Sequence, residues 1–126
     1  MTHEEKIDQA VKLLCNAAQP KKIILFGSYA RGDAKHDSDL DLMVIFENKI
    51  NRHAEMVRLR RILSPLRMSI DVIVVIEEKF NYWRDTIGHL YNEVSKEGKV
   101  IYEKLGLTAQ HVVDEALRFA SGKDIK

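Results

Sequence analysis

The residues whose types and spacing carry chemistry are Gly27-Ser28 and, after ten intervening residues, Asp39-Leu40-Asp41. Two apolar runs frame them: Lys22-Ile23-Ile24-Leu25-Phe26 leads into the glycine, and Leu40-Asp41-Leu42-Met43-Val44-Ile45-Phe46 is opened by the acids. Both runs read as strands. Side chains two apart on a strand share a face, roughly 6.6 Å from one another. Asp39 and Asp41 are therefore expected on one face, with Leu40, Leu42 and Val44 turned to a core on the other. Paired acids on an otherwise apolar strand are costly unless a cation meets them. A divalent metal is the obvious partner, because hard cations take carboxylate oxygens. Gly27 lets a backbone approach a ligand closely. Ser28-Tyr29-Ala30-Arg31 can begin a short helix whose first amides face an anion. Gly27-x4-Gly32 also has P-loop spacing, but Asp33-Ala34 stands where Lys-Ser/Thr is required, which excludes a Walker-type NTPase.

The fuller text GSYARGDAKHDSDLDLMV resembles the signature of the DNA polymerase β-like nucleotidyltransferases, and within them the minimal nucleotidyltransferases (MNT) that act as antitoxins to HEPN-type toxins. The resemblance spans roughly residues 20–103. It implies a third acid on a neighbouring strand, supplied here by Asp71 in Ser69-Ile70-Asp71-Val72-Ile73-Val74-Val75. It implies transfer of AMP from ATP to an acceptor hydroxyl, most naturally a tyrosine of a cognate HEPN toxin. Asp39, Asp41 and Asp71 would be both catalytic residues and ligands of two Mg²⁺ ions, roughly 3.5–4 Å apart as in two-metal sites. Asp71 would complete the ion on the acceptor side and help deprotonate the hydroxyl. Gly27 and Ser28 would hold the β- and γ-phosphates. Arg31 is a nucleotide-binding candidate that can equally pair with Asp33 or Asp37. Two other functions stay open: a non-catalytic antitoxin that neutralises its partner by occlusion, and a small-molecule nucleotidyltransferase of the aminoglycoside-modifying type working as a dimer. A homo-oligomer is compatible with either.

The elements that must position these residues give an α+β chain with a small mixed sheet of about four strands and helices mainly on one face. The resemblance implies the polymerase β palm-like arrangement of them. Thr2 and Glu5 form a capping box for a helix in which Ile7, Ala10, Val11, Leu14 and Ala18 recur at helical spacing; Gln19-Pro20 ends it. Asn51 caps a basic helix to about Leu63, with Ala54, Val57 and Leu63 expected inward and Arg52, Arg58, Arg60 and Arg61 on it. Pro65 stops it, and Arg67 follows. A strand over 68–75 carries Asp71. Residues 78–97 read as a single amphipathic helix with Trp83, Ile87, Leu90, Tyr91 and Val94 as its stripe and Gly98 as C-cap. Residues 99–103 read as an edge strand. A final helix over about 108–120 carries Val112, Val113, Ala116, Leu117 and Ala120 on one side.

The totals bound the rest. The 126 residues, 45% hydrophobic and 31% charged, fit one globular domain over 1–126. A net charge of +1 gives no global pull toward nucleic acid or membrane, so a nucleic-acid partner is not expected unless the arginine-rich helix forms a local patch. The lone Cys15 excludes an internal disulfide and is expected as a small buried side chain. No apolar run approaches the roughly 20 residues of a membrane span. The charged start MTHEEKIDQA has no apolar signal core, so a cytoplasmic setting is expected. His36 is expected as an exposed loop residue, and His3, His53, His89 and His111 lack metal-ligand spacing. Trp83 and Tyr91 are expected in the core.

Overall fold

The computed structural model describes residues 2–104. The chain opens on α1 (His3–Ala18). Thr2 accepts from the Glu5 amide at 3.1 Å while its own amide donates to Glu5 Oε1 at 2.8 Å, so the capping box forms. Gln19 closes the helix in the left-handed region, just before Pro20. Then follow β1 (Lys22–Phe26), α2 (Ser28–Arg31), β2 (Leu40–Phe46), α3 (Arg52–Leu63), a single 3₁₀ turn at Ser64–Leu66, β3 (Ile70–Ile76), α4 (Glu77–Trp83), α5 (Leu90–Glu97) and β4 (Lys99–Glu103).

The four strands form one mixed sheet in the order β3-β2-β1-β4. β1 pairs antiparallel with both β2 and β4, whereas β2 and β3 run parallel. The parallel pair follows from α3, which carries the chain back so that β3 starts beside the start of β2. Alternation then sorts the side chains. Leu40, Leu42, Val44 and Phe46 of β2 pack with Val72 and Val74 of β3, Ala10, Val11 and Leu14 of α1, and Leu59 and Leu63 of α3. On the opposite face Met43 and Ile45 pack with Ile24 and Val75 under Phe80 of α4 and Val94 of α5. The long helices thus share one face, as the sequence leads one to expect, and a short helical pair covers part of the other.

Residues 78–97 are not one helix. α4 stops at Trp83, and the segment up to His89 turns through Gly88 at φ +88°. Asn92 explains the break: its buried amide Nδ2 donates to the Arg84 carbonyl at 2.7 Å, closing the turn between the two helices. The expected stripe is therefore split. Phe80 and Val94 are buried, but Trp83, Leu90 and Ile87 are exposed, Ile87 by 87%. Trp83 is not core; it stacks on the His89 ring. Tyr91 is half-buried against Phe80. Gly98 does cap α5, in an extended conformation rather than a left-handed one. A Cβ there would collide with Ile24 of β1 and the Val94 carbonyl.

α3 also differs in detail. Leu59 and Leu63 face inward with Met56 half-buried, while Ala54 and Val57 are exposed. One turn of 3.6 residues sets Met56, Leu59 and Leu63 on a common stripe that excludes the other two. β3 begins at Ile70, two residues later than expected, because Arg67 takes the left-handed region after the Pro65 turn. Cys15 is only partly buried and lies against Tyr102; burial pushes its thiol up to about 12. The expected last helix and His111 lie outside the described residues. Among the described residues no helix is long and apolar enough to cross a membrane.

Candidate active site

The site forms where three strand ends meet. Asp41 and Asp71 are register partners on the parallel strands β2 and β3. Partners at one register point to the same face of a sheet, so these two carboxylates stand side by side. The strand starts are tied by the Leu40 amide donating to the Ser69 carbonyl at 2.9 Å. Asp39 lies just ahead of β2. The chain is delivered to it by a tight turn in which the Lys35 amide donates to Ser38 Oγ at 2.8 Å.

On the other side of Asp41 the last residue of β1, Phe26, is its antiparallel partner. Gly27 comes next, at φ +75° and ψ −155°, a region that side-chain-bearing residues rarely enter. A Cβ on Gly27 would fall on Asp41 Oδ2. The glycine is needed, then, because a protein carboxylate occupies the space its side chain would fill. α2 starts immediately: the amides of Ala30 and Arg31 both donate to the Gly27 carbonyl at 3.0 Å. Tyr29 and Ala30 are buried in the main core and anchor the turn. Ser28 is left half-buried at its mouth.

Burial raises the pKa of Asp41, and the charges of Asp71 and then Asp39 raise it further; Arg31 acts in the opposite sense. All three acids therefore share one electrostatic neighbourhood. Arg31 is exposed and pairs with Asp33 at 3.4 Å and with Glu97, at the end of α5, at 3.7 Å. The Asp33 pairing is as the sequence allows. Glu97 is reached only through the fold, and no sequence signal links it to the loop. Asp71 in turn pairs with Arg60 of α3 at 3.3 Å.

Much of the arginine-rich helix is engaged within the chain. Arg52 Nε donates to the Val74 carbonyl at 2.9 Å. Arg58 grips Glu55 and donates to the Ala17 carbonyl at 3.0 Å. Among the described histidines, His36 is exposed, His3 packs on the Tyr29 ring and His89 caps α5.

The donor set suits a hard divalent cation: carboxylates only, one of them penalised in its ionised form by burial and then by its neighbours' charge. Among the described residues, no three His, Cys, Asp or Glu side chains stand close enough to hold an ion as they are.

The profile described as polymerase beta, nucleotidyltransferase matches residues 8–105, most of the chain. The chain belongs to the polymerase β nucleotidyltransferase family. A Methanocaldococcus jannaschii protein, provisionally named a protein adenylyltransferase, is 33% identical over 101 residues, covering 75% of this chain and 97% of its own. The protein adenylyltransferase MntA of Aphanizomenon flos-aquae is 30% identical over 112 residues, covering 83% of this chain and 71% of its own. These relatives place the chain with the minimal nucleotidyltransferases, as the sequence resemblance implies. A solved complex of the tri-AMPylated Shewanella oneidensis HEPN toxin with its MNT antitoxin contains a chain of the same fold. It is 19% identical, with a TM-score of 0.55, and the alignment covers 96% of this chain and 88% of that one.

Two outcomes follow from the Gly27–Asp41 contact. Gly27→Ala forces a Cβ into the Asp41 carboxylate at a glycine-only backbone conformation; the expected cost is about 1–3 kcal/mol, read from urea melts. Asp41→Asn removes a carboxylate whose folded pKa is raised. Such a group stabilises the fold most below its unfolded pKa of about 3.9 and loses that contribution as pH rises through the folded value. The metal-free variant should therefore melt a few degrees above the parent at pH 7. That advantage should vanish in melts at about pH 3.5.

Proposed function

We propose that this nucleotidyltransferase transfers AMP from ATP to a hydroxyl of a protein acceptor, a tyrosine of a HEPN-type toxin, and so acts as an antitoxin. The observation that carries the reading is the pairing of Asp41 with Asp71 across two parallel strands, with Asp39 alongside and the Gly27–Ser28 turn adjoining. The relatives support this acceptor: two are named protein adenylyltransferases, and the fold neighbour comes from a complex of a tri-AMPylated HEPN toxin with an MNT antitoxin.

In this reading the acids and the turn divide the substrate between them. Ser28 and the Gly27–Ser28 amides take the β- and γ-phosphates, at the β1 side of Asp41. Arg31 exchanges its exposed carboxylate partners for phosphate, a stronger charge-assisted contact. The acceptor comes from the β3 side, where Asp71 is the outermost acid. The acceptor oxygen attacks the α-phosphorus, the bond from that phosphorus to the α–β bridging oxygen breaks, and pyrophosphate leaves. The hydroxyl proton passes to Asp71. Asp39, Asp41 and Asp71 would hold Mg²⁺, as two ions in the fullest form of the site, which when bound supplies charge neutralisation at the transferring phosphoryl group. Asp41 gains most from that charge, since it is the acid that burial and both neighbours penalise.

The test is transfer itself. The protein is incubated with α-labelled ATP, Mg²⁺ and a HEPN-type protein. Label should appear on a tyrosine of the partner, and Asp39→Asn, Asp41→Asn or Asp71→Asn should each slow it about 100-fold or more. A tight complex without label would favour neutralisation by occlusion. Label on an aminoglycoside in its place would make the enzyme a small-molecule transferase.

A further inference from the structure

The helix that returns the chain from β2 to β3 does more than cross over. β3 is the outer strand of the sheet, so Asp71 has β2 on one side and no strand on the other. α3 packs along that strand. Near its start Arg52 donates to the Val74 carbonyl, and one turn before its end Arg60 Nη2 meets Asp71 Oδ1 at 3.3 Å. Both partners of the second contact are about half exposed, 50% and 51%. The outermost acid of the site is thus already supplied with a cation by the protein.

We propose that Arg60 is a positioning residue that competes with a divalent cation for the Asp71 carboxylate. The inference rests on the reading of Asp71 as a metal ligand. In the ion-free enzyme the guanidinium neutralises Asp71 and holds one of its oxygens toward α3. An ion held together with Asp41 would draw on that same carboxylate. A guanidinium and a divalent ion on one carboxylate repel each other, so binding of the ion loosens the pair. The pair is suited to such an exchange because it is exposed. A half-solvated pair is weak enough to open readily, whereas a buried one would resist. Arg60 would then lower the affinity of the metal position beside the acceptor, so that it fills chiefly when the negative charge of a nucleotide is also present. Nothing in the arginine run singles Arg60 out in sequence; its neighbour Arg61 is likewise exposed and makes no such contact with Asp71.

The test is a double-mutant cycle on ion binding, independent of turnover. Mn²⁺ alone is titrated into the parent, Arg60→Gln, Asp71→Asn and the double variant, with the free ion followed by electron paramagnetic resonance. Arg61→Gln serves as a control for charge, and melting curves confirm that each variant folds. Arg60→Gln should tighten binding about two- to five-fold, Arg61→Gln should do so less, and the gain from Arg60→Gln should vanish in the Asp71→Asn background. Arg60→Lys should fall between the parent and Arg60→Gln. A gain that persists without Asp71 would mean a general field effect and overturn the proposal, as would unchanged affinity in Arg60→Gln. If Asp71→Asn itself leaves Mn²⁺ binding unaltered, the reading of Asp71 as a ligand fails first and takes this one with it.

Discussion

The carboxylate of Asp41 sits where a side chain on Gly27 would be, partly buried, with Asp39 and Asp71 adding like charge. Most of the structure answers to that constraint. A carboxylate so placed is penalised in its ionised form by burial and by its neighbours. Its counterweight among the described residues is Arg31, which is itself divided between Asp33 and Glu97. The fold holds the acid there because its strand has nowhere else to go. The alternate residues Leu40, Leu42 and Val44 are fully buried, and a one-residue slip of β2 would bring them to the acidic face. The core thereby supplies the energy that keeps an unfavourable charge in place, a usual arrangement at functional sites.

The division of labour across the sheet follows from strand order. β1 brings the Gly27 turn, β2 brings Asp39 and Asp41, and β3 brings Asp71, in neighbouring positions. The same face, further along, is sealed by Phe80 and Val94 from the α4–α5 pair. α4 follows β3 directly and so covers the far end of the parallel strands, while at their starting ends stand the Gly27 turn with α2 and Arg60 of α3. The end of α5 reaches back, through Glu97, to touch Arg31.

The legible part of this design was local. Thr2 and Glu5, Asn51, and the short helix after Gly27 are set by contacts within four residues, and all appear as the residue types predict. The pairing of Asp41 with Asp71 was legible only with the help of a family resemblance, since one aspartate early in a strand has no signal of its own. What escaped was long-range. The break between α4 and α5 depends on Asn92 finding the Arg84 carbonyl, a contact that periodicity cannot see. Trp83 and Ile87 fell into an apparent stripe because a hydrophobic count ignores such a break, and both are exposed. The arginines of α3 read only as a basic helix; their partners Val74, Ala17 and Asp71 come from other elements. Gly27 was legible as a residue that lets the backbone approach a ligand; that a carboxylate from the next strand fills the space of its missing side chain was not.

The central claim is that Asp41 is held in wait for a cation. It is tested most directly by following the Asp41 side-chain carboxyl by ¹³C NMR through a pH titration, first without metal and then with Mg²⁺ and a non-hydrolysable ATP analogue. The account predicts a midpoint above the ordinary aspartate value of about 3.9 in the metal-free protein, falling below that value when the cation is present. A midpoint at the ordinary value that does not move on adding Mg²⁺ would contradict it.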